Sequence, residues 1–287
     1  MGEITYEPEP SLTIAERDQL LQDLDRDGFI VLPFKLPEWM IEEANLVIDR
    51  IVDEQRKFDP HKTAFNGMNI VERAAIFRRL MMFKPALQLS YDCFGPQFIL
   101  SQDQFWVQLR DPENPLCSVG WHSDGPVNFP QIDGRCALHS LRFGYTLSDN
   151  TSPDCGAIDV IRGSHKKRVL HARRNLHWEP DWDVQEVDES QDLVQVRGEA
   201  GTIYAFHNAL WHRTLPNMTN QARKLAYYQY TPSWMRTHHR GEPSLYDLQF
   251  YTPEERWLLG EPRPLSTWIH QTEHENKRLA RFSREAE

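Results

Sequence analysis

A histidine and an aspartate one residue apart, His122-Ser123-Asp124, sit between Gly120 and Gly125. In an extended strand alternate side chains share a face, so this spacing predicts an imidazole and a carboxylate presented together to a cation. A reactive metal needs a third ligand. The chain offers one in Phe206-His207-Asn208-Ala209-Leu210-Trp211-His212, where either histidine could serve. Two histidines and one carboxylate leave three positions of an octahedral iron open on one face, room for a cosubstrate and oxygen. On the next strand-like run stands Arg223. A dicarboxylate cosubstrate needs a fixed cation at its far end, and a guanidinium fork suits that task. Taken singly, each of these histidines reads as an ordinary core or surface residue. Their combination with Asp124 and Arg223 is what predicts a site.

Such residues must be brought together by the elements that carry them. From about 96 to 232 the sequence breaks into short apolar or alternating runs separated by Gly, Pro, Asn and Asp. These run from Phe98 to Leu109, Ala137 to Leu147, Ala157 to Ile161, Leu193 to Val196, Thr202 to Phe206 and Lys224 to Tyr230. Short strands with turn residues between them predict a mainly β sandwich or barrel rather than a parallel α/β sheet. An eight-stranded jelly roll, the double-stranded β-helix of cupin-like folds, is the simplest closed form. The part up to about residue 95 reads as helical, packed on one outer face of that core. Thr13 and Glu16 make a capping-box pair, and Gly28 stands where a helix would stop. Met40, Ala44, Val47, Ile48 and Ile51 recur at helical spacing through 37–56. Residues 70–83 predict another helix, and Phe29-Ile30-Val31-Leu32 a buried strand ending at Pro33. Residues 233–287, charged and punctuated by Trp and Tyr, predict helical turns wrapping the barrel. With no long linker, repeat or low-complexity tract, one domain over 1–287 is expected. In the run from Phe98, Gln102, Gln104, Trp106 and Gln108 alternate with Asp103, Phe105, Val107 and Leu109, giving one amide- and aromatic-lined face. Polar groups turned into a barrel need partners, which a bound cosubstrate would supply.

At this point the chain resembles the phytanoyl-CoA dioxygenase family of iron(II)- and 2-oxoglutarate-dependent oxygenases, over nearly its whole length. Asp25-Arg26-Asp27-Gly28-Phe29-Ile30-Val31-Leu32-Pro33 is similar to the family's opening "DGF" strand. Trp121-His122-Ser123-Asp124 resembles its proximal ligand pair. Cys155-Gly156-Ala157, then Val160-Ile161-Arg162-Gly163-Ser164-His165-Lys166, looks like its "NGPL…VIPGSHK" segment, with Arg162 where proline is usual. His212, Asn217 and Arg223 match its distal "H…N…R" run, with Thr219 where Ser or Thr is common.

The resemblance implies roles by position. His122, Asp124 and His212 would bind Fe(II); His207 is the competing ligand, but Asn217 and Arg223 align with His212. Arg223 would pair with the C5 carboxylate of 2-oxoglutarate, assisted by the Thr214 hydroxyl, with Gln102 and Gln108 as further cosubstrate contacts. His165 would cap a turn rather than bind metal. Trp106, Phe129, His139 and Trp211 are candidates for the substrate pocket, each with ordinary packing as the plain alternative. The implied chemistry consumes O2 and 2-oxoglutarate, releases succinate and CO2, and usually hydroxylates an unactivated C–H bond. Desaturation, cyclisation and epimerisation share the same oxidising chemistry. Related halogenases carry a small residue at the carboxylate position, so Asp124 argues against halogenation. The run Gly125-Pro126-Val127-Asn128 departs from ectoine hydroxylases, which points to another small metabolite or natural product as substrate.

Composition sets the remaining bounds. A formal net charge of −10 argues against a nucleic-acid surface, because phosphate binding needs a basic face. The local basic run Lys166-Lys167-Arg168 with Arg173-Arg174 reads as a solvated loop, or as a contact for an anionic substrate. No apolar run spans a bilayer and the N-terminus lacks the features of a signal peptide, so a cytoplasmic protein is expected. Four dispersed cysteines (Cys93, Cys117, Cys136, Cys155) without a Cys-x-x-Cys pair predict reduced thiols. His270-Gln271-Thr272-Glu273-His274 fits an inverted zinc-peptidase pattern, but too little chain follows it for the further carboxylate ligand. The non-enzymatic rival is a jelly-roll binding protein; an intact triad with Arg223 argues against it.

Overall fold

The computed structural model describes residues 10–111, 119–124, 136–166, 192–235, 249–261 and 278–284. Helix α1 (Ile14–Asp27) starts from Thr13, whose hydroxyl accepts from the Glu16 N–H while the Glu16 carboxylate accepts from the Thr13 N–H. It stops at Gly28, whose φ of +83° is a left-handed position that costs glycine little. Strand β1 (Phe29–Lys35) then runs through Pro33 instead of ending there. It lies at a sheet edge, and its pairing lapses between Val31 and Lys35, so the missing N–H of Pro33 breaks no ladder bond.

Helix α2 (Glu38–Phe58) buries the stripe Met40, Ala44, Ile48 and Val52, as its periodicity requires. The helix expected over 70–83 is instead a 3-10 turn at Ile70–Glu72 followed by α3 (Ala75–Met81), because Ala74 is extended. Helix α4 (Lys84–Phe94) begins again with proline in its first turn, where the missing N–H is harmless. Strand β2 (Ala64–Met68) was hidden in the sequence by Asn66 and Gly67, poor strand formers.

Eight strands follow: β3 (Phe98–Gln108), β4 (Val119–His122), β5 (Leu141–Thr146), β6 (Ile158–Ile161), β7 (Leu193–Val196), β8 (Thr202–His207), β9 (His212–Thr214) and β10 (Arg223–Pro232). Among the described residues they form two antiparallel sheets, ordered β1-β8-β5-β10-β3-β2 and β4-β9-β6-β7. Strands β3 to β10 contribute four to each sheet, the double-stranded β-helix expected, and β1 and β2 extend the larger sheet at its two edges.

The larger sheet has two differently used faces. One, carrying Phe105, Val107, Phe143, Tyr145, Ala205 and Tyr228, joins α1–α4 in a single apolar core. The Tyr228 hydroxyl donates to the Phe77 carbonyl and that of Tyr230 to the Met81 carbonyl, tying β10 to α3. The other face, with Tyr204, Phe206, Leu225 and Tyr227, packs against Ile158 and Val160 of the smaller sheet and lines the barrel. A bulge keeps the two sets sorted along β3. Its pairing with β10 steps from Gln102↔Gln229 to Leu100↔Tyr230, leaving Ser101 as an extra residue. Phe98 and Leu100 before the bulge, and Phe105 and Val107 after it, therefore all reach the helix-side core.

Near the C-terminus, α5 (Pro253–Leu258) and a 3-10 turn at Ala280–Phe282 bury Trp257, Leu258 and Phe282 in the same core. Buried Arg17 of α1 donates to the Phe282 carbonyl and pairs with Asp92 of α4. Cys93, Cys136 and Cys155 are free thiols, and no helix among the described residues is long and apolar enough to cross a membrane. Phe129, Cys117, the basic run beyond Lys166 and His270 to His274 lie outside the described residues.

Candidate metal centre

Strands β4 and β9 are antiparallel neighbours, and their register sets His122 directly opposite His212. The ring centroids are 4.2 Å apart. His122 Nδ1 lies 2.8 Å from the Gly120 carbonyl and His212 Nδ1 lies 2.9 Å from the Leu210 carbonyl. A carbonyl only accepts, so each ring carries its proton on Nδ1 and its lone pair on Nε2, the arrangement a metal ligand needs. Burial pulls the His212 pKa down to about 4; His122 adds to that and Asp124 opposes it. His212 is therefore neutral at pH 7, the form that binds metal.

Asp124 reaches the same place by a route other than strand alternation. Strand β4 ends at His122, and the chain turns so that the Asp124 N–H donates to the Asn208 carbonyl at 3.1 Å. Its Oδ1 stands 3.9 Å from His212 Nε2. One ligand atom from each of His122, Asp124 and His212 lies within 4.8 Å of the others, a spacing that can hold a metal ion.

Arg223, the first residue of β10, is buried, and its Nη1 donates to Gln108 Oε1 at 2.8 Å. Among the described residues its Nε is buried with no hydrogen-bond partner. Such a donor costs free energy unless something accepts from it, which is what a carboxylate brought into the barrel would do. Asn217 places this arginine. Its Nδ2 donates to the backbone carbonyls of Gln108 and Gln221, stapling the β9–β10 connection onto β3. Tyr204 and Tyr227 share a hydrogen bond of 2.8 Å between their buried hydroxyls. Burial holds the Tyr204 phenol well above its ordinary range, so it stays neutral, and Arg223 and Arg142 both act on it electrostatically. Gly144 makes room for it: a Cβ there would come within 2.3 Å of the Tyr204 ring.

The other sequence candidates are scattered. Thr214 lies on β9 opposite Val119 and Ile158. Gln108 meets Arg223, whereas Gln102 accepts from Arg142 at 2.6 Å and donates to Gln104. Trp106 packs against the barrel-lining cluster, its Nε1 buried and without a hydrogen-bond partner among the described residues. His139 sits by His207, and its N–H donates to Asn208 Oδ1. Trp211 is buried, its N–H bonded to Ser164 Oγ. His207, the rival third ligand, ends β8 with its ring 5.0 Å from that of His165 and its Nδ1 accepting from the Ala209 N–H. His165 bonds the Asp25 carbonyl. Neither belongs to the triad.

Arg142 is the residue that sequence reasoning passed over. It lies on β5, where Leu141, Phe143 and Tyr145 face the helices, so Arg142 faces the barrel. Its Nε is 2.9 Å from Asp124 Oδ2. The available signal was an arginine at an alternate position of an otherwise apolar strand.

Solved structures share this fold. HygX from Streptomyces hygroscopicus, crystallised with nickel and 2-oxoglutarate, is 19% identical with a TM-score of 0.59, covering 79% of this chain and 90% of its own. ThoJ, a non-heme monooxygenase, is 19% identical with a TM-score of 0.59, covering 92% and 98%. SnoN, a non-heme alpha ketoglutarate dependent epimerase from nogalamycin biosynthesis, is 18% identical with a TM-score of 0.53, covering 76% and 84%. No curated protein matches the sequence. The family model for phytanoyl-CoA dioxygenase (PhyH) matches residues 24–225, most of the chain. The protein belongs to the phytanoyl-CoA dioxygenase family.

Proposed function

We propose that this protein is an iron(II)- and 2-oxoglutarate-dependent oxygenase that hydroxylates an unactivated C–H bond of a small metabolite or natural product. The observation that carries this reading is the pairing, inside one barrel, of a two-histidine, one-carboxylate cluster with a buried arginine whose Nε has no partner among the described residues. The donor set fits iron: two imidazoles and one carboxylate, with positions left for other ligands. The overall change balances as R–H + O2 + 2-oxoglutarate giving R–OH + succinate + CO2. Iron, when bound, supplies the coupling of oxygen reduction to decarboxylation of the cosubstrate.

The chain's own contribution is placement. His122 and His212 present Nε2, each ring oriented by the carbonyl that its Nδ1–H reaches. Arg223, held by Gln108, offers its free Nε to the far carboxylate of the cosubstrate. Phe206, whose ring lies 4.8 Å from that of His212, and the Ile158–Val160 cluster keep that side of the site dry. Trp106 Nε1 supplies one more donor to a bound molecule. HygX was crystallised with 2-oxoglutarate, and SnoN is an epimerase of the same fold, so epimerisation, cyclisation and desaturation are the alternative outcomes.

Anaerobic addition of Fe(II) and 2-oxoglutarate should develop a weak visible charge-transfer band. A flat spectrum from folded protein would sink the reading, including its rival outcomes. With a substrate found by succinate-release screening, incorporation of one 18O atom from 18O2 identifies hydroxylation. A product lacking it assigns one of the alternatives.

A further inference from the structure

Arg142 has an environment that an ordinary structural ion pair does not need. Its Nε lies 2.9 Å from Asp124 Oδ2, an ion-pair contact made by charge and proximity, while the Nε–H itself donates to Gln229 Oε1 at 3.0 Å. Its Nη2 donates to Gln229 Oε1 at 2.8 Å and to Gln102 Oε1 at 2.6 Å. Gln102 is turned the right way for this, because its Nε2 is engaged with Gln104 Oε1. Gln229 and Gln102 stand opposite one another on β10 and β3, and Gln229 pairs with Arg142 on β5. Three adjacent strands of the larger sheet thus aim one guanidinium at a carboxylate held at the rim of the smaller sheet. Both side chains are mostly buried, at 12% and 11% exposure, so solvent does not screen the contact as it would on a surface.

We infer that Arg142 is a positioning residue for the metal centre: it occupies Asp124 Oδ2, so that Oδ1 alone is turned to the two imidazoles. This rests on the reading of His122, Asp124 and His212 as metal ligands. A free carboxylate can offer both oxygens to a cation and take two coordination positions. A carboxylate clamped through one oxygen takes one, leaving the other position for cosubstrate or oxygen. An arginine suits the task because Gln229 and Gln102 fix its planar fork, which holds its charge against Asp124; a lysine is a point charge on a flexible stem. The two amides are neutral, so they fix the guanidinium without competing for its charge.

Charge and positioning make opposite predictions. As a bare cation beside a metal site, Arg142 repels the incoming ion, and its removal would tighten binding. As the group that orients Asp124, its removal loosens binding, by about 10- to 100-fold as for other groups that orient metal ligands.

The test is anaerobic titration of the full chain with Co(II), read by its visible ligand-field bands and by competition with a chelator. Wild type, Arg142→Met, Arg142→Lys and Gln229→Met are compared, and their folding is checked by thermal melts without metal. The expected result is weaker Co(II) binding and a changed band shape in Arg142→Met, partial recovery in Arg142→Lys, and a smaller change of the same sign in Gln229→Met. Unchanged or tighter binding with a wild-type spectrum in Arg142→Met overturns the proposal. Should that variant fail to fold, wild-type affinity and spectrum in both Arg142→Lys and Gln229→Met overturn it instead. Wild-type protein that binds no Co(II) fails the metal-centre reading itself, a result separable from the others.

Discussion

Strand β10 carries tyrosines on both faces, and they are used differently. Tyr228 and Tyr230 point to the helices, where each hydroxyl donates to a backbone carbonyl of α3. Tyr227 points into the barrel, where its hydroxyl meets that of Tyr204. The same contrast holds along the whole sheet. Helix-side residues are mostly apolar, and Tyr228 and Tyr230 are tied to backbone carbonyls, so that face serves cohesion. Barrel-side residues include Arg142, Arg223, Gln102 and Gln108, which bond in pairs and still leave Arg223 Nε and Trp106 Nε1 without partners among the described residues. Buried donors without partners are destabilising, so a face that retains them is organised around something other than its own stability.

Substitutions on the two faces should therefore separate stability from function. The largest effect expected is on the barrel side: His122→Ala, which leaves the buried Arg142–Asp124 pair intact, should abolish succinate formation while the melting temperature of the metal-free protein barely moves. Loss of folding in that variant would break the division. On the helix side, Phe143→Ala should lower the urea-derived stability by roughly 3–5 kcal/mol, the usual cost of emptying a phenylalanine site. The molecules still folded should bind 2-oxoglutarate as before; a changed affinity would show that the faces are coupled. Arg223→Met should weaken 2-oxoglutarate binding roughly 10- to 100-fold, matching charged hydrogen bonds of about 1.5–3 kcal/mol, with Co(II) affinity unchanged. Equal loss of both ligands would place Arg223 in the metal centre instead.

A subtler effect belongs to the end of β8. Burial, then His165 and His139, lower the His207 pKa to about 3 from 6.5. The folded state thus resists a proton that the unfolded chain accepts. Stability is full above about pH 6.5 and falls as pH drops toward 3, by at most about 1.4 kcal/mol per pH unit for this group. His207→Asn, whose Oδ1 can take the Ala209 N–H, should flatten that slope. An unaltered slope would assign the acid sensitivity to other groups.

How much of this was legible depends on whether a signal was local. The alternation of Gln102, Gln104, Trp106 and Gln108 is local, and it foretold a polar inner face; that Gln108 meets Arg223, on another strand, it did not show. The bulge at Ser101, which keeps Phe98 and Leu100 on the helix side, depends on β10 and left no such mark. His122-Ser123-Asp124 pointed to two side chains that do converge, yet the strand stops at His122 and Asn208, from a distant segment, turns Asp124 inward. Arg142 was illegible because its meaning comes from Gln229 and Asp124, each on another segment. Pro33 was misread for a related reason: whether proline ends a strand depends on whether that strand has a neighbour on its N–H side.

The opposition of His122 and His212 has a further consequence for the lifetime of the fold around them. Strand β4 is four residues long, lies at the edge of its sheet among the described residues, and pairs with β9 through a register that shifts between Val119 and His122. An edge so short opens readily, and hydrogen exchange or a protease would find it first. A metal held by one imidazole from each strand acts as a rivet across that seam, its binding free energy added to the cost of opening. Supply and removal of iron would then govern how long this rim of the barrel stays shut, as well as whether the enzyme can turn over.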